Sequence, residues 1–126
     1  MRSADSEINQ LFDPESINAL GGGDQALVER LVAGVIQSNR DDLAVLESLL
    51  AKEDRMGLAA LAHRTKGTAK MINAAVLVDA CLSLEASAGH ATLAQLRVNG
   101  DEFGDLLRRM EAALQACFPG AHGKAM

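Results

Sequence analysis

Between Asp24 and Lys52 the apolar residues recur three and four positions apart. Leu27, Val28, Leu31, Val32, Val35, Ile36, Leu43, Leu46, Leu49 and Leu50 fall on one side of a helix and nowhere near a two-residue alternation. A strand cannot use that spacing, so the segment is read as one long amphipathic helix, capped by Asp24 and running to about Ala51. Gly34 is a tolerated weak point, and Lys52-Glu53-Asp54 is the turn that follows. Such a helix has to bury its apolar side against other elements. The rest of the chain offers the same material. Apolar residues make up 48% of the 126, aromatics only 2%, with no Trp and no Tyr. A core of Leu, Val, Ile, Ala and Met, with few β-branched or aromatic runs, favours packed helices over a sheet. At this length one domain buries roughly two-thirds of its unfolded surface, which suffices for a core without disulfides or metals.

Punctuation places the other elements. Residues 1–12 are polar apart from Ile8, Leu11 and Phe12 and read as an N-terminal arm. Asp13-Pro14-Glu15 starts a short helix that ends at Leu20, before Gly21-Gly22-Gly23. A third helix is expected from about Met56 to Ile72, with Leu58, Leu61, Ala62, Thr65, Ala69 and Ile72 inward and Asn73 as its left-handed cap. A fourth spans about Ala74 to Ala88, with Val76, Leu77, Ala80, Cys81 and Leu84 inward, and Gly89 stops it. Thr92 to Val98 reads as a helical turn broken by Asn99-Gly100. Asp101 then caps a last helix carrying Phe103, Leu106, Leu107, Met110, Leu114 and Cys117, ended by Pro119-Gly120. Short links between long amphipathic helices predict an all-α, antiparallel up-down four-helix bundle preceded by a short helix. The expected organisation is an arm over 1–12, a bundle domain over 13–118 and a flexible tail over 119–126.

Several function classes fall away. The net charge of −5 and the lack of aromatics oppose nucleic-acid binding, which needs a basic stripe and stacking rings. No apolar run approaches the roughly 20 residues that cross a bilayer, so no membrane contact is expected. The start, Met1-Arg2-Ser3-Ala4-Asp5, lacks a signal-peptide core, and two distant cysteines, Cys81 and Cys117, read as reduced thiols in a cytoplasmic protein. The Gly triplet is no phosphate loop, since no G-K-[ST] follows it, and no Glu-x-x-His pair prepares a metal site. No cofactor is expected.

Chemistry concentrates at Leu61-Ala62-His63-Arg64-Thr65-Lys66-Gly67-Thr68-Ala69-Lys70. On a helix His63, Lys66 and Gly67 share one face. A lone helical histidine at a bundle edge is ordinarily an inert hydrogen-bonding group. Here Ala59, Ala60 and Gly67 strip bulk from the turns on either side. Gly67 costs the helix roughly 1 kcal/mol relative to Ala, a cost that stability alone does not explain. Lys66 and Lys70 gather positive charge on that flank of an acidic chain. Together these suit a histidine approached closely by something anionic. His90 and His122 read as solvated, Cys81 and Cys117 as small core residues, and Arg64, Arg108 and Arg109 as solvated helix charges.

The run His63-Arg64-Thr65-Lys66-Gly67-Thr68-Ala69, then Ala74, then Cys81-Leu82-Ser83-Leu84-Glu85, resembles the histidine phosphotransfer (HPt) domain of multistep phosphorelays: H-x-x-K-G-[ST]-[AS], a Gly-Ala pair, and C-x-x-L-E on the next helix. The likeness is close over residues 61–85, with Asn73 standing where the family has Gly. Lys70-Met71-Ile72-Asn73 is similar to the C-terminal HPt domains of virulence-type hybrid sensor kinases.

The resemblance implies that His63 Nε2 takes a phosphoryl group from a receiver-domain aspartyl phosphate and passes it to another receiver. Lys66 would offset phosphate charge and Gly67 would let the receiver seat. The Mg²⁺ and the acceptor aspartate would belong to the receiver, part of a response regulator or a hybrid kinase. Glu85 lies 22 residues after His63. It is expected to accept the Nδ1–H of His63 and present Nε2 outward, or else to be a plain surface carboxylate. Docking is expected around His63, with Phe12 or Ile17 from the N-terminal helix. The chain is expected to act as a monomer. Having no ATP site, it is read as a phosphoryl carrier, whether free or part of a hybrid kinase. Two alternatives stay open: a phosphoacceptor domain of chemotaxis-kinase type, phosphorylated by a kinase in trans, and a helical adaptor that is never phosphorylated.

Overall fold

The computed structural model describes residues 11–121. Five helices follow one another: α1 Pro14–Leu20, α2 Gln25–Lys52, α3 Arg55–Met71, α4 Ala75–His90 and α5 Leu93–Cys117. Glu53 and Asp54 alone separate α2 from α3, Ile72 to Ala74 separate α3 from α4, and Ala91 and Thr92 separate α4 from α5. Links this short force antiparallel neighbours. α2 packs on α3, α3 on α4, α4 on α5, and α5 closes back on α2, while α1 leans on α2. The result is a closed up-down four-helix bundle with no strand among the described residues.

Local chemistry sets the helix ends. Asp13, Asp24, Asp54 and Thr92 each accept a backbone N–H from the first turn of α1, α2, α3 and α5. Glu53 ends α2 in the left-handed region at φ 54°, and Asn73 follows α3 in the same conformation, also at φ 54°. At this end of the bundle Asp13 donates its N–H to the Ile72 carbonyl and Asn73 Nδ2 donates to Ser16 Oγ, which seats α1 beside the α3–α4 turn.

The core contains Leu, Ile, Val and Ala from all five helices together with Phe12, Phe103 and Phe118, the three aromatic residues of the chain. Phe12 and Ile17 are fully enclosed, so they are core and not the exposed docking residues expected of them. Leu11, Phe118 and Ala121 are buried too. The packed unit therefore extends past 13–118 on both sides, and part of the expected arm and tail is core. Ile8 and His122 lie outside the described residues. Val76, expected inward, is exposed.

Two local expectations are corrected. α4 runs through Gly89 to His90, and α5 begins at Leu93 and passes unbroken through Asn99-Gly100. Packing overrides propensity at the second place. A Cβ on Gly100 would stand 2.9 Å from Leu50 Cδ2, and one on Gly104, a turn later, 3.0 Å from Leu46 Cδ2. The two glycines give α2 a shallow groove to lie in, and Asn99 hydrogen-bonds Ser87 Oγ on α4.

Arg55 links two turns at one end of the bundle. Its Nη1 donates to the Ser87 and Ala88 carbonyls at 3.2 and 3.3 Å, and its Nη2 to the Ala91 carbonyl at 2.6 Å. These carbonyls lie at and just past the C-terminus of α4, where positive charge is also favoured by the helix dipole. Arg55→Ala is expected to lower unfolding free energy by about 2 kcal/mol, read from the midpoint of a urea melt at unchanged slope.

Candidate functional site

Burial of Leu58, Leu61, Ala62, Thr65 and Ala69 fixes the rotation of α3 about its axis. Residues a third of a turn or more away from that stripe face out, and His63 is among them, with its side chain 75% exposed. On α4 the buried set Leu77, Cys81, Leu84 and Ala88 leaves Glu85 on the flank nearest α3. The two helices thereby bring together four residues singled out in the sequence. His63 Nδ1 lies 3.3 Å from Glu85 Oε2, Lys66 Nζ donates to Glu85 Oε1 at 2.8 Å, and Gly67 adjoins them one turn along α3.

One carboxylate thus serves two partners, one on each oxygen. The Lys66 ammonium, first through its hydrogen bond, holds the Glu85 carboxyl below the usual carboxylate range, and His63 acts in the same direction. Glu85 is ionised at neutral pH and is an acceptor only, so a hydrogen bond to His63 requires the proton on Nδ1. That tautomer leaves the Nε2 lone pair free. Lys66, expected to offset phosphate charge, already has a carboxylate partner in the resting site. Its side chain is only 16% exposed and its ammonium rests on Glu85.

Gly67 differs from the packing glycines. A Cβ there would meet nothing within 4 Å. The fold does not need the missing side chain, and the bare backbone faces outward beside His63. Further along the same seam Ala69, Lys70, Asn73, Ala74, Val78 and Asp79 line an open groove of about 400 Å³. Cys81, one turn before Glu85, is fully buried, and its thiol is pushed up to about 12, by burial first and by the Glu85 charge second. It is a protonated core residue, not a nucleophile. Among the described residues no group of three or more His, Cys, Asp or Glu is placed to hold a metal ion, and no helix is long and apolar enough to cross a membrane.

Behind the site lies a polar cluster that the sequence reading passed over. The Asp42 carboxylate of α2 is buried, accepting from Thr65 Oγ1 at 2.9 Å and from Arg64 Nη2 at 2.8 Å. Asn39, one turn earlier, is buried as well. Arg64 is therefore not simply a solvated charge. The signal was present: Val28, Val32, Val35, Asn39, Asp42 and Leu46 continue one stripe of alternating four- and three-residue steps, with two polar residues where the pattern demands apolar ones.

The sequence is similar to known proteins. The family model described as Hpt domain matches residues 30–117. The virulence sensor protein BvgS of Bordetella parapertussis and that of Bordetella pertussis are each 38% identical over 77 residues, and that of Bordetella bronchiseptica is 36% identical over 77. Each match covers 61% of this chain and only 6% of the much longer relative. No solved structure matches the chain.

Lys66→Met removes the largest influence holding the Glu85 carboxyl down. Its pKa is expected to rise toward the ordinary glutamate value of about 4.3, followed by carboxyl ¹³C shifts in an NMR titration. The sign for stability follows from the depression. The pair's contribution is complete above the ordinary carboxylate range and is lost as pH falls through the lowered pKa of the wild type, so Lys66→Met flattens stability against pH only in that acid window.

Proposed function

The chain belongs to the Hpt domain family, whose work is histidine phosphotransfer in phosphorelay signalling, and on that premise we propose that His63 is the residue that carries the phosphoryl group. The observation that carries the assignment is the hydrogen-bond geometry at Nδ1. Glu85 occupies that nitrogen at 3.3 Å, while the ring stands exposed beside the bare backbone of Gly67.

The step follows from the tautomer. The Nε2 lone pair of a neutral imidazole attacks the phosphorus of a receiver's aspartyl phosphate. An N–P bond forms, the P–O bond breaks, and the aspartate leaves as its carboxylate. No proton has to move. The ring keeps its Nδ1–H and becomes cationic, and the Glu85 carboxylate lies against the charge that develops. Lys66 keeps that carboxylate ionised and aimed. The reverse step, onto a second receiver, uses the same groups. Gly67 admits the receiver's active site to Nε2. Any Mg²⁺ assisting transfer would be held by the receiver.

In this reading the domain works in the cytoplasm as a monomer, with receiver domains as partners. The Bordetella relatives are sensor proteins of which the chain matches a small part, and the same placement, as the phosphotransfer part of a hybrid sensor kinase, is proposed here.

Incubation with a phosphorylated receiver is expected to move acid-labile label onto the protein. His63→Gln abolishes this, and label retained by that variant would refute the assignment. Label acquired from a kinase with ATP but from no receiver would favour the chemotaxis-type alternative, and label from neither the adaptor. Gly67→Ala separates function from folding. It is expected to raise stability by about 0.5–1 kcal/mol, since the new Cβ meets nothing, while receiver-dependent transfer falls roughly ten- to hundredfold through misplacement of the reacting atoms.

A further inference from the structure

We propose that Arg64 is a receiver-recognition residue: a guanidinium pinned by the buried Asp42 carboxylate at the rim of the His63 face, where it pairs with the acidic phosphoacceptor pocket of the incoming receiver. The inference rests on the phosphocarrier reading and adds a partner contact to it.

The exposed face of α3 has two edges. On the α4 side Lys66 is held by Glu85. On the α2 side Arg64 is held by Asp42. The helical progression places Gly67 between His63 and Arg64, so the ground separating them is bare. The two cations differ in what they offer. The Lys66 side chain is 16% exposed, that of Arg64 62%. Arg64 spends Nη2 on Asp42 and keeps further N–H donors toward solvent.

The anchor is unusual for a surface arginine. The Asp42 side chain is 5% exposed and also accepts from Thr65 Oγ1. Only the carboxylate of this pair is buried, so Arg64 neutralises Asp42 while most of its own side chain stays in solvent. The pair's clear physical effect is to hold a long, flexible side chain in one place, which removes the ordering cost of using it in a complex.

The partner's chemistry fits. A pocket that contains a phosphoacceptor aspartate and binds Mg²⁺ through oxygen ligands is rich in carboxylates, and it is more negative once phosphorylated. A planar guanidinium pairs with carboxylate or phosphoryl oxygens two at a time. The chain as a whole carries −5, so approach of an anionic pocket depends on local positive charge at this face.

The experiment measures transfer from a phosphorylated receiver chosen because it labels the wild-type protein, over a range of receiver and salt concentrations. The Asp42→Asn/Arg64→Gln double variant removes the cation without stranding a buried carboxylate. Its KM for receiver is expected to rise roughly three- to tenfold, with the limiting rate within about twofold and a flatter dependence on ionic strength. Arg64→Lys keeps the charge and is expected to restore the salt dependence but only part of the affinity. Asp42→Asn alone keeps the guanidinium and loses its anchor and a negative charge, giving a smaller rise in KM with a salt dependence at least as steep as the wild type's; it also serves if the double variant melts early. Unchanged KM and salt dependence in the double variant would overturn the proposal, as would a fall in limiting rate at constant KM. Failure of the wild type to take label from any receiver would sink the phosphocarrier reading itself, and this inference with it.

Discussion

The rotation of α3 about its own axis is the constraint on which the site depends. Leu58, Leu61, Ala62, Thr65 and Ala69 are all buried, and a helix in a close-packed interior cannot turn by even one residue without exposing some of them. Once that stripe is seated, His63 has no choice but to face solvent, with Arg64 toward α2 and Lys66 toward α4. The closed ring makes the seat firm. α2 reaches α5 closely because Gly100 and Gly104 leave room for Leu50 and Leu46, and α1 packs beside the turn where α3 ends. His63, the proposed phosphoacceptor, thus sits on a rigid element and not on a loop, which suits a group to be presented in one geometry.

A single carboxylate then organises the chemistry. Glu85 is partly enclosed, ionised, and divided between an imidazole and an ammonium. Each contact answers a different need. The ammonium holds the charge on the carboxylate, and the carboxylate holds the proton of the imidazole at Nδ1. Neither contact occupies Nε2. The order matters physically, because a protonated Glu85 would become a possible donor and would no longer specify one tautomer.

Much of this was legible in the sequence, for reasons that differ by residue. The helix spans follow from spacing and from short polar caps, and the inward face of α3 was read residue by residue because apolar and polar positions alternate cleanly there. His63, Lys66, Gly67 and Glu85 were singled out by their neighbours in sequence and by resemblance, and the structure brings them together. The misreadings lie where distant residues decide. Asn99-Gly100 looks like a helix breaker until Leu50 is packed against it. Phe12 and Ile17 look available for docking because nothing local says that a short N-terminal helix closes the bundle. Asn39 and Asp42 were visible as polar interruptions of a regular stripe, but spacing alone does not say whether such residues are buried or whom they meet.

Cys81 stands one turn from Glu85 and directly beneath the site, yet it is enclosed and kept protonated. Oxidation of cysteine begins from an accessible thiolate. Cys117, half-buried at the end of α5, is also held above its ordinary value by burial. Burial thus leaves the Cys81 sulfur a poor target for peroxide and thiol-modifying electrophiles, although it lies within one helical turn of the Glu85 carboxylate.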